Sequence, residues 1–67
     1  MEIIQISMAA ARVNADLSQK EAAEKLGVTP VTLGRWEKGE AIPNMAVARK
    51  MAELYGIPLD YIRLTST

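Results

Sequence analysis

The sequence predicts an all-α fold, a compact domain of five short helices. Residues 18–39, SQKEAAEKLGVTPVTLGRWEKG, hold two helix starts and two helix stops in one run. Residues 44–55 bring Met45, Ala48, Met51, Ala52 and Tyr55 round at helical spacing. The Ala9-Ala10-Ala11 run adds a strong helix former near the beginning of the chain.

Met1 to Ile6 reads MEIIQI, and three isoleucines in six residues favour an extended arm or a small strand, read first as a tail that packs on the domain. Ser7 caps a first helix to about Asn14, with Met8, Ala11, Val13 and Ala15 as its apolar contacts. Asn14-Ala15-Asp16 is its exit, and Leu17 is placed to fold back towards Ala22. The next helix spans about 18–26. Ser18 and Glu21, three apart, form a capping box, in which each side chain satisfies a backbone donor left free at the helix start. Ala22, Ala23 and Leu26 give it a small apolar face, and Gly27 stops it by accepting the left-handed conformation. The third helix spans about 30–38. Thr29 caps it, Pro30 takes the first position where a missing N–H costs nothing, Leu33 and Trp36 share its inner face, and Gly39 ends it.

Glu40 to Pro43 is a loop, and Asn44 caps a fourth helix that runs to about Tyr55 and stops at Gly56. Ile57-Pro58 opens a short fifth helix through about Ile62, where Ile57, Leu59 and Ile62 cover the open end of the core and Tyr61 is half-buried. Leu64 to Thr67 reads as a frayed end. The whole chain, 1–67, is read as one domain. At 67 residues the core is marginal, so efficient helix packing or oligomerisation has to contribute.

Composition narrows the function. The chain has neither cysteine nor histidine, which removes thiolate metal sites, disulfides and the commonest general base. It also carries no glycine-rich phosphate loop, so an enzyme is the poorest reading and no cofactor or metal is expected. No apolar run approaches the ~20 residues that cross a bilayer, and the first residues do not read as a signal peptide. The expected location is therefore the cytoplasm. Eight basic residues balance eight acidic ones. Lys20, Arg35 and Lys38 concentrate near the second and third helices, whereas Glu21, Glu24 and Glu40 dilute the field there. Weak non-specific attraction to a polyanion and a modest salt slope follow.

Two short helices joined by a tight glycine-containing connection match the DNA-binding helix-turn-helix. The order Gln19, Ala22-Ala23, Gly27-Val28, Leu33, Arg35-Trp36-Glu37-Lys38-Gly39 resembles the helix-turn-helix of the lambdoid phage repressor and Cro family, and the resemblance continues through Pro43, Ala52, Gly56 and Leu59-Asp60-Tyr61-Ile62. It spans roughly residues 8–62. It implies a lambda-repressor-like domain that binds double-stranded DNA and regulates transcription, with the helix from Pro30 as the recognition helix.

With Leu33 and Trp36 inside, Pro30, Val31, Gly34 and Arg35 are the residues the recognition helix can offer to base edges in the major groove. Arg35 is the expected guanine reader, and Val31 offers a methyl surface to thymine. Pro30 and Val31 stand where many family members carry polar readers. Gln19, Thr29, Thr32 and Lys38 are the candidate phosphate contacts, Gln19 because the family uses a glutamine there against the backbone. The family also pairs an arginine of the first helix with a glutamate after the last core residue of the recognition helix, and Arg12 and Glu37 hold the matching positions.

A homodimer on half-sites about 34 Å apart is the expected DNA-bound form. Its interface would come from the C-terminal segment or the N-terminal arm, since no long dimerisation helix is visible. The alternative is a protein-binding helix-turn-helix module, an antitoxin or adaptor domain, which the neutral surface also suits.

Overall fold

The computed structural model describes residues 4–64. Four α-helices form its body: α1 Met8–Asn14, α2 Gln19–Leu26, α3 Pro30–Glu37 and α4 Met45–Tyr55. A single 3-10 turn follows at Leu59–Tyr61. Two short strands, β1 Ile6–Ser7 and β2 Ile62–Arg63, pair in parallel, with Ile6 opposite Ile62 and Ser7 opposite Arg63.

Every helix starts on the side chain anticipated from its sequence. Ser7, Ser18, Thr29 and Asn44 accept from the backbone N–H groups of Ala10, Glu21, Thr32 and Val47, at 2.9–3.2 Å. Glu21 completes the capping box by accepting the Ser18 N–H at 3.0 Å. That bond to the carboxylate lowers the Glu21 pKa from its ordinary value. Gly27 and Gly39 lie at φ +77° and +80°, and the N–H groups just beyond them close back on Ala23 and Arg35 carbonyls. The chain leaves α1 through Asp16 at φ +59°, a conformation that aspartate tolerates better than most residues.

Packing places the site. The core gathers Met8 and Ala11 of α1, Ala22, Ala23 and Leu26 of α2, Leu33 and Trp36 of α3, Met51 and Tyr55 of α4, and Ile62 of β2. Ala11 of α1 and Ala22 and Ala23 of α2 are fully buried, and Leu33 and Met51 fill the centre. α2 packs on both α3 and α4, while α1 touches α3, α4 and β2. The residues of α3 that face away from Leu33 and Trp36 are thus left on one side of the molecule.

Three expectations need correction. The fifth helix is only a 3-10 turn. Ile62 turns extended (φ −105°, ψ 124°), its strand partner Ile6 replacing further helical bonds. Helix count therefore falls to four, within an otherwise helical fold. Val13 is exposed, because it lies two residues from Ala11 and so about 200° away around α1. Met45 is 56% exposed: it is the first residue of α4, and burial along its stripe begins one turn later, at Ala48. The N-terminal segment does form the small strand, packed on its own chain, and Gln5 Nε2 donates to the Asp60 carbonyl at 3.0 Å. Met1 to Ile3, with most of the expected arm, and Thr65 to Thr67, most of the expected frayed end, lie outside the described residues.

Candidate nucleic-acid interface

The site is built on the end of α3. Glu37 is the last residue of that helix, and its carboxylate receives three N–H groups. Arg12 Nε donates to Oε2 at 2.8 Å, Arg12 Nη2 to Oε1 at 3.3 Å, and Gln19 Nε2 to Oε1 at 2.9 Å. Arg12 Nη1 also donates to the Leu17 carbonyl at 2.8 Å. The two charged side chains are only 14% and 6% exposed. One carboxylate thereby links α1, the start of α2 and the end of α3, and fixes the angle at which α3 is presented.

Tyr55 backs this cluster from α4. It is buried, and among the described residues its hydroxyl has no hydrogen-bond partner. Burial, reinforced by the negative charge of Glu37 and opposed by Arg12, pushes its pKa up from 10.0 to about 12.

Outside this tie lies an open depression of about 500 Å³, lined by Gln19, Pro30, Val31, Gly34, Arg35, Lys38 and Glu40. All four candidate base readers meet two of the four candidate phosphate contacts there. Pro30 opens the helix on the Thr29 cap, and Val31 is 73% exposed. Gly34 lies under the Gln19 amide. A methyl group added at Gly34 would stand 3.7 Å from Gln19 Nε2 and 3.9 Å from Oε1, ordinary contact distances.

Arg35 is exposed, with its Nε 3.8 Å from Glu40 Oε1 across the helix end. Such an exposed pair is worth ~1 kcal/mol or less, so it leaves the guanidinium exchangeable. Lys38 is the exposed C-cap of α3. Thr29 and Thr32 do not line the depression. The Thr29 hydroxyl accepts the Thr32 N–H at 3.2 Å and donates to the Thr32 hydroxyl at 3.0 Å, so both are engaged in the cap.

Two features escaped the sequence reading. Glu40, a diluting charge near the motif and a possible partner for Arg35 in the sequence, lines the depression beside Arg35. Gln19 was assigned to a phosphate, yet its amide also completes the Glu37 cluster. Separations of 5 and 18 residues carry no local signal for either contact.

Known proteins resemble this chain along its length. The chain is 40% identical over 48 residues to the transcriptional repressor RstR of the cryptic phage CTXphi from Vibrio cholerae, a match covering 72% of this chain and 43% of RstR. It is 36% identical over 52 residues to the HTH-type transcriptional regulator ImmR of Bacillus subtilis, covering 78% and 41%. It is 36% identical over 53 residues to multiprotein-bridging factor 1 of Candida glabrata, covering 79% and 35%. The matched segment spans less than half the length of each of these relatives. No solved structure matches at comparable significance. The helix-turn-helix family model (HTH_3) matches residues 8–62, the segment that runs from the first residue of α1 to the first of β2. The chain belongs to the helix-turn-helix family of the lambdoid repressor (XRE) type.

Proposed function

We propose that this chain is a sequence-specific DNA-binding regulator of transcription, with α3 lying in the major groove of double-stranded DNA. The observation that carries the reading is the single open face on which Gln19, Pro30, Val31, Gly34, Arg35 and Lys38 converge, held by the Arg12–Glu37–Gln19 tie behind it. A helix held at its C-terminal end, with its N-terminal half exposed, suits groove insertion. Arg35 exchanges Glu40 for the O6 and N7 of a guanine, a bidentate contact worth ~1–3 kcal/mol of discrimination. Gln19 and Lys38 hold the backbone phosphates that set register, while Thr29 and Thr32 act first as the helix cap. Similarity to proteins named transcriptional repressor and regulator supports the same reading. Two copies bind paired half-sites about one helical turn apart, ~34 Å.

The test is a salt titration of duplex binding. Wild-type protein gives a falling affinity with rising salt, and Lys38→Ala weakens binding to every sequence and lowers the slope by about one. A slope unchanged in the variant would remove Lys38 from the phosphate contacts.

A second reading, a protein-binding helix-turn-helix module, draws on the zero net charge and on similarity to a protein named multiprotein-bridging factor 1. A folded protein that binds no duplex at low salt would favour it.

A further inference from the structure

We infer that the cavity between the end of α3 and the β1–β2 pair binds a small dianion of the phosphomonoester class, and that this anion competes with DNA for Lys38. The cavity holds about 180 Å³ and is walled by Ser7, Met8, Trp36, Glu37, Lys38 and Arg63. One water takes ~30 Å³ of liquid, so the space suits a phosphate with a short organic group. Met8 and Trp36 are buried and form its apolar side. Donors form the polar side. The Ser7 hydroxyl oxygen accepts the Ala10 N–H at 3.0 Å, which leaves its own O–H to donate. Lys38 and Arg63 are exposed, and neither has an ion-pair partner among the described residues.

The acceptors on the same wall are already engaged. Both Glu37 oxygens receive N–H groups, from Arg12 and Gln19, and the Arg12 charge neutralises the carboxylate. At the end of α3 the Trp36 and Arg35 carbonyls accept from the Gly39 and Glu40 N–H groups, at 3.1 and 2.9 Å. Two cations and a hydroxyl donor thus face a recess whose negative groups are satisfied. A phosphomonoester carries about −1.5 to −2 charge at pH 7, which matches the two cations, and the Arg63 guanidinium offers it a bidentate fork. A DNA backbone phosphate brings a single charge and is tied to a sugar on each side. Lys38 connects the cavity to the reading of α3 as a DNA helix, on which this half of the inference rests. It lines the depression on α3 as well. An anion that engages the Lys38 ammonium withdraws it from the DNA backbone, so the bound anion lowers affinity for duplex.

Trp36, the one tryptophan of the chain, lines the cavity and reports on it. Its fluorescence is followed while glycerol phosphate, and separately inorganic phosphate, replaces chloride at constant ionic strength. A saturable change is expected, with half-saturation on the order of 1–10 mM, the scale for a ligand of few heavy atoms. Arg63→Ala and Lys38→Gln, each checked by melting to be folded, should abolish it. In a duplex titration, glycerol phosphate should weaken wild-type binding and lower the salt slope by about one, the loss of one phosphate contact. Arg63→Ala should bind duplex like wild type and ignore the added anion. No saturable fluorescence change, or the same change in Arg63→Ala, would overturn the anion site. A saturable change with duplex affinity unaltered would overturn the competition for Lys38. Loss of duplex affinity in Arg63→Ala without any fluorescence response would assign the cavity to a DNA backbone phosphate and overturn the free anion. A chain that binds no duplex at all fails the reading of α3 and the competition with it, while the fluorescence arm still decides the cavity without DNA.

Discussion

Glu37 decides most at the scale of single residues. Its side chain is 6% exposed and accepts from two side chains on two other helices, so removing its charge leaves the largely buried Arg12 without a counter-ion. Glu37→Gln should cost ~3–5 kcal/mol in urea unfolding, the range for breaking a buried pair from one side. Unaltered stability would show that the tie does not hold α3. Arg35 is the opposite case. It is exposed and only loosely paired with Glu40, so Arg35→Ala should leave the melting temperature unchanged.

Tyr55 gives a pH prediction of definite sign. Its folded pKa is raised to about 12 from 10.0, so the native state keeps the proton that the unfolded chain releases. That contribution is intact below pH 10 and is lost as pH rises to about 12. Tyr55→Phe should flatten this loss in alkaline unfolding, and an identical alkaline profile in the variant would contradict it.

At the scale of elements, local chemistry was legible wherever a rule depends on near neighbours. The four caps, the Ser18–Glu21 box, and the glycine stops could be read from spacings of three or four residues, and the structure has them all. Long-range pairing was not legible. Nothing near Ile62 announces that Ile6 will pair with it 56 residues away in preference to a further helical turn. Met45 follows the apolar spacing of α4 yet is exposed at the first position of the helix, which spacing alone cannot reveal. The outer face of α3 was legible because Leu33 and Trp36 define its inner face, whereas the contacts of Gln19 and Glu40 depend on how the helix end packs.

Gly34 tests propensity inside an element. A methyl added there meets only the Gln19 amide at ordinary contact distance, so Gly34→Ala should raise stability by up to ~1 kcal/mol. A loss of stability would mean that the amide cannot accommodate a side chain. The capping box gives a second pH effect. The lowered Glu21 pKa contributes stability that is present above pH 4.5 and lost as pH falls through the lowered value. Glu21→Gln should remove that acid-side dependence.

At the scale of the whole molecule, zero net charge coexists with a basic pair, Arg35 and Lys38, on the proposed DNA face, and Glu40 sits at its rim. Long-range attraction to DNA is therefore weak, and on the proposed reading affinity comes from register and from two copies acting together. Glu40→Gln should strengthen binding to all duplexes at low salt, with the gain fading as salt rises and screening lengths shrink.

The most direct measurement for the central claim, that the α3 face reads DNA, is selection of bound duplexes from a random-sequence pool, with Arg35→Ala in parallel. The account predicts an enriched inverted repeat, with half-sites about one turn apart and a guanine whose preference disappears in the variant. A folded wild-type protein that enriches no sequence at low salt, or a variant that selects the same sequence as wild type, would contradict it.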